Sequence, residues 1–191
     1  MENQMSEQES LAIITNMINV AKAKLRKSDA FSFIFWGYLA VIASLSNYIL
    51  DAVFGLYHYG YYAWFLMFAG MPISIYINIK QKRKEVVDTY IGSFIRNLWI
   101  ALSVSIIVLA LTGFRIAYLF CPLTVLIVAI GVFVTGTTFK FKPLIVGSII
   151  LWIAAGVMFL VPQDTMYLIY AVGLIAGYII PGHIIQAKSH V

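Results

Sequence analysis

The side chains able to do chemistry are few in this chain, and they stand at the edges of long apolar runs. There are three histidines, one cysteine, eight acidic residues and thirteen basic ones in 191 residues. A metalloenzyme in a membrane gathers His, Asp or Glu ligands into one cluster. Here His58 and His183 fall at opposite ends of apolar runs and His190 in the C-terminal tail. No HExxH, Walker or GxSxG pattern occurs. Cys121 precedes Pro122 inside an apolar run and reads as a small apolar filler. A lone cysteine also excludes an internal disulfide. Neither a catalytic residue nor a cofactor or metal ligand is expected.

The strongest charged feature is "KQKRKEVVDTYIGSFIR", residues 80–96. Lys80, Lys82, Arg83 and Lys84 cluster at its start, and Val86, Val87, Tyr90, Ile91, Phe94 and Ile95 recur about every four residues after them. That spacing makes one apolar helical face. Glu85, Asp88, Thr89, Ser93 and Arg96 fall opposite. The N-terminus has the same logic. Ser6 and Glu9 form a capping-box signature. At about 100° per residue, Leu11, Ile13, Ile14, Met17, Ile18, Val20, Ala21 and Leu25 share one half of the wheel. Thr15, Asn16, Asn19, Lys22, Arg26 and Lys27 share the other, and Lys24 alone intrudes on the apolar half. Such helices lie on membranes or dock on proteins. Leu11, Ile14, Ile18 and Leu25 are one candidate contact face, with Val87, Tyr90, Ile91 and Phe94 the other.

The elements that must carry these faces are membrane spans. The chain is 62% hydrophobic and 11% charged, against about 25% charge in soluble domains. Six apolar stretches reach the roughly 20 residues that a bilayer core demands: about 31–50, 61–79, 97–114, 116–139, 143–162 and 166–185. They do not alternate as barrel strands do, and backbone groups in lipid must pair within the segment, so helices are expected. The expected fold is an all-α polytopic membrane protein: a cytoplasmic amphipathic helix over 1–29, then six spans over 30–191. The first apolar run is too long for a signal-peptide core and is read as a retained anchor.

Twelve of the thirteen basic residues fall on one side of these spans, and Arg115 falls on the other. The positive-inside bias then places both termini in the cytoplasm. Tyr57, Tyr59, Tyr61, Tyr62 and Trp64 gather on the outer side, as an interfacial belt would. The net charge of +5 does not point to nucleic acid, because the cations punctuate apolar spans instead of lining one soluble face. Membrane lipids are the expected partner, with a protein at the cytoplasmic face or a second copy of the chain as further options.

Within the spans the polar residues are mostly Ser and Thr, which bond to the helix backbone locally. No ionisable residue falls mid-span, which disfavours an ion-coupled pump. Gly173 and Gly177 stand one turn apart, a small-residue stripe for close helix packing. Pro72, Pro122 and Pro181 predict kinks.

"ESLAIITNMINVAKAKL", "FWGYLAVIASLSNYIL" and "PISIYINIKQKRKEVVDTYIGSFIRNLWIALSVS" together resemble an uncharacterised family of small bacterial integral membrane proteins. These have an amphipathic N-terminal helix and a Trp-Gly near the start of the first span. The resemblance covers about the first 110 residues. It implies an inner-membrane location and, because such genes often sit near small winged-helix regulators, a signalling or stress role. It carries over no catalytic or binding residues. The expectation is a non-enzymatic membrane sensor or interaction protein, with a small transporter or channel for a weakly polar or lipidic solute as the alternative.

Overall fold

A computed structural model describes the backbone of residues 7–56, 59–82, 90–112 and 117–188. Every described element is helical. In chain order these are α1 (Glu7–Tyr48), which runs into a π-helical turn (Ile49–Val53), a 3-10 turn (Gly60–Trp64), α2 (Phe65–Lys82), α3 (Tyr90–Thr112), α4 (Ala117–Thr138) and α5 (Lys142–Met158). Then come α6 (Gln163–Leu174), a second π-helical turn (Ile175–Ile179) and α7 (Ile180–Lys188).

Four helical stretches are long and apolar enough to cross a membrane: Ala30–Val53, Tyr90–Thr112, Tyr118–Thr138 and Gln163–Lys188. Two shorter apolar helices, Tyr62–Ile77 and Lys142–Met158, stand at the other two predicted spans. Among the described residues the fold is thus all-helical with four candidate membrane-spanning helices, by length and composition, where the sequence predicts six.

The boundary expected at residue 29 is not a break. α1 runs through it as one helix of 42 residues, about 63 Å at 1.5 Å per residue. Charged residues at 22–29 mark where apolar character begins, but they do not stop a helix. Only Gly and Pro do so strongly, and neither occurs between Glu7 and Trp36.

The core lies where α1, α4, α5 and α6 meet. Leu144, Leu151, Met158, Val125, Val132 and Ile185 are fully buried there. α1 packs on α6 and α7, and α5 packs between α4 and the second π-helical turn. α2 leans on α1 and α3 on α4. Among the described residues α3 fully buries Ile95 alone, so its remaining apolar side chains face outward or sit half-covered.

Two close approaches set the packing. Gly37 of the Trp-Gly pair lets α1 touch the second π-helical turn, since a Cβ there would stand 2.6 Å from Ile179 Cγ1. At the second, α5 and that π-helical turn cross backbone to backbone. A Cβ on Gly177 would lie 2.5 Å from the Gly147 carbonyl oxygen, and one on Gly147 would overlap the Gly177 carbonyl. Each glycine thus aims a Cα–H at the other's carbonyl, a recurring contact at helix crossings. Pro181 supplies the reason. It has no N–H to give the Gly177 carbonyl four residues back, and the chain widens there, with Ile180 N–H bonding to Ile175 O. One turn away, a Cβ on Gly173 would stand 2.9 Å from Ala154 Cβ.

Interior hydroxyls mostly bond within their own helix, as Thr124 does to Phe120 O at 2.6 Å and Ser148 to Ile145 O at 2.7 Å. Two reach across. Ser44 Oγ donates to Tyr167 O at 2.7 Å, pinning α1 to α6. Thr135 Oγ1, which donates to Gly131 O, accepts from Trp99 Nε1 at 3.2 Å, pinning α3 to α4. Thr135→Val leaves that part-buried indole N–H without its acceptor, a loss of about 1 kcal/mol, the low end for an unpaired donor. In a thermal-unfolding double-mutant cycle with Trp99→Phe, the pair is expected to lose less than the sum of the single changes.

Candidate functional site

The polar residues that the structure gathers are at the end of α1. There Asn47 and Asp51 stand four residues apart, one turn, across the junction of α1 with its π-helical turn. Phe54 N–H bonds to Ile49 O at 3.1 Å, five residues back, as π-helical geometry requires. Gly55 then takes a left-handed backbone, φ +66°, and Leu56 N–H reaches back to Leu50 O at 2.8 Å. A glycine in this conformation is a common helix stop. The chain returns through the 3-10 turn, which packs on α1.

That return puts Gly60 directly against the polar pair. The place a Cβ would occupy on Gly60 is already filled by the Asn47 amide and the Asp51 carboxylate. Glycine is required because nothing larger fits. Rotating the Asn47 amide by half a turn, the orientation its neighbours demand, gives a donor and an acceptor their partners. Nδ2 then donates to Asp51 Oδ2 at 2.9 Å, and Oδ1 accepts from Trp64 Nε1 at 2.9 Å. The Trp64 ring meets Phe120 of α4 and Tyr170 of α6 edge-on, at centroid distances of 5.2 and 5.3 Å. Tyr167, whose hydroxyl accepts from Gln163 Nε2 at 3.1 Å, neighbours Asn47 on the α6 side.

Asp51 itself is 5% exposed. Its Oδ1 has no hydrogen-bond partner among the described residues, and Asp164 in the first turn of α6 is the neighbouring like charge. From its sequence position Asp51 reads as a residue of an outer loop. The signal that could have marked it is the i, i+4 pair Asn47 and Asp51 followed by Gly60. Its burial depends on the chain folding back, which local pattern does not show.

The predicted contact faces are placed in part. Leu11 is 62% and Ile14 54% exposed on the N-terminal half of α1. Ile18 and Leu25 belong to the same helix, but their side chains lie outside the described residues, as do those of Lys80 and Lys82 at the end of α2. Ser6, Arg83, Lys84 and Val87 also lie outside the described residues. Tyr90, Ile91 and Phe94 open α3 and are exposed, Tyr90 at 89%. Near that end of the bundle Arg96 Nη2 donates to Ser93 Oγ at 2.9 Å, while His183 Nε2 is 3.2 Å from Tyr38 Oη. Gly173 and Gly177 face α5 inside the chain. Among the described residues no group of three or more His, Cys, Asp or Glu side chains is placed to hold a metal.

Fold and site together define an all-helical chain with several apolar helices compatible with a membrane. Against known proteins, no family model, no curated protein and no solved structure matches this chain.

Proposed function

We propose that this is a non-enzymatic bacterial inner-membrane protein of six spans, with both termini in the cytoplasm, that acts as a sensor or interaction protein through its cytoplasmic helices. The observation that carries this reading is the unbroken α1. From Ala30 it is apolar enough to cross the membrane. The part before that, residues 7–29, continues as helix for about 35 Å. A rigid arm of that length holds an exposed apolar face, Leu11 and Ile14, at a fixed rotation relative to the span. Movement in the span is thereby transmitted to the contact face, and contact at the face to the span.

Two further facts support six spans. α5, with 17 residues, is about 25 Å long, a little short of a bilayer core of about 30 Å. It nevertheless packs on its neighbours near both ends, at Leu144 against Gly136 and at Ala154 against Gly173, which supports its crossing with them. α2 continues the 3-10 turn, and together they fill the predicted second span. The positive-inside bias supports the orientation. Resemblance to small bacterial membrane proteins supports the location and the regulatory role. Lipid covers the outward apolar faces of α2 and α3, or a second copy does. The transporter alternative draws less support, because the space between α4, α5 and α6 is filled by Val125, Leu144, Leu151 and Met158.

The test is Leu11→Asp with Ile14→Asp. Charge on that face is expected to release the arm from lipid or protein, seen as gained access of a spin label at position 18 to a water-soluble relaxation agent, while the spans still insert. Unchanged access would remove the arm from the account.

A further inference from the structure

We propose that Asp51 is a proton-binding site: it carries a proton while the Gly60–Trp64 turn is docked on the bundle and releases it when that turn lifts away. The proposal is independent of which partner meets the N-terminal arm.

Asp51 is buried, and one of its two carboxylate oxygens receives a hydrogen bond, from Asn47, while the other receives none among the described residues. A buried carboxylate in that condition is far cheaper neutral than charged. The groups that face it increase the difference. From α6 comes Asp164, a like charge, with the neutral Tyr167 hydroxyl nearby. Among the described residues no lysine or arginine pairs with it. A metal ion would need several oxygens at about 2.0–2.6 Å. The Gly60 backbone already presses on the carboxylate, so that volume is taken, whereas a proton needs none.

The same contacts make the turn a cover. Asn47 bridges Asp51 to Trp64, and Trp64 is the plug between Phe120 and Tyr170. An ionised Asp51 demands water, and water reaches it only when Gly60 and Trp64 move off. Deprotonation and undocking are therefore one event.

The experiment uses the full chain with Trp64 as its single tryptophan, Trp36, Trp99 and Trp152 each replaced by Phe, in phosphatidylcholine and phosphatidylglycerol vesicles. Iodide quenching of Trp64 is followed from pH 4 to 9. Quenching is expected to rise about threefold through a one-proton transition, to stay low at every pH in Asp51→Asn, and to keep its transition in His58→Gln, the control at the histidine nearest in sequence. If the tryptophan replacements prevent folding, a polarity-sensitive dye on Tyr62→Cys in an otherwise wild-type chain reads the same movement. Flat quenching in the wild-type background, a transition that survives Asp51→Asn, or one lost in His58→Gln would overturn the proposal.

Discussion

Gly147→Val is expected to destabilise this protein strongly. Its Cβ would overlap the Gly177 carbonyl and lie 3.0 Å from Pro181 Cγ and 3.1 Å from the Gly177 carbonyl carbon. Two of those three neighbours are backbone, so no rotamer change relieves the contact. The crossing must separate, and Leu151, Ala154 and Gly173 lose their fit with it. Overpacking costs about 1–3 kcal/mol when side chains can adjust, occasionally more, and here the upper end or beyond is expected. At about 2–4 °C per kcal/mol for a chain of this size, melting in detergent should fall by roughly 6–12 °C. Gly177→Val should behave alike, since its Cβ would meet the Gly147 carbonyl at 2.5 Å and Leu151 Cγ at 2.7 Å. Gly156→Val is the control. Nothing lies within 4 Å of a Cβ there, and valine is a better helix former than glycine, so melting should hold or rise slightly. Equal losses at 147 and 156 would mean that the α5 crossing does not organise the bundle.

Trp64→Ala should free the Gly60–Trp64 turn from the bundle. The substitution removes edge contacts with Phe120 and Tyr170, each worth about 0.5–1.5 kcal/mol beyond burial, and the indole N–H that Asn47 accepts. Large-to-small aromatic changes in cores cost about 3–5 kcal/mol, and a half-covered ring at a bundle end should fall near 3. Trp64→Phe keeps an edge toward both rings and loses the hydrogen bond, so about 1 kcal/mol is expected. Thiol-reagent access at the native Cys121, buried beside the Trp64 partners Phe120 and Tyr170, separates the two: open in the alanine variant, closed in the phenylalanine one. Equal protection in both would show that Trp64 does not hold the turn.

Much of the helical character was legible because apolar runs state their own length. Ala30–Val53, Tyr90–Thr112, Tyr118–Thr138 and Gln163–Lys188 all overlap stretches the sequence marks. The continuity of α1 was hidden by charge. Lys22 to Asp29 look like a boundary, yet the residues that interrupt helices are absent there, and backbone preference decides continuity. The Gly173 and Gly177 stripe was visible, but its partner was not, because a pattern in one helix does not say which neighbour it meets. Gly147 sits in a run where nothing but structure distinguishes it. Asp51 was legible only as a residue of the outer loop that follows the first span. Its burial arises from Gly60, nine positions later, and from Trp64, and the two π-helical turns that shape both glycine and carboxylate sites leave no repeat in the sequence.

Membrane placement carries the rest. Single cysteines in a Cys121→Ala background at positions 2, 53, 62 and 191, probed on intact cells with a membrane-impermeant maleimide, test it. The account predicts labelling from outside at 53 and 62, and labelling at 2 and 191 only after the cells are opened. Reaction at 2 or 191 in intact cells, or no reaction at 53 and 62, would contradict it.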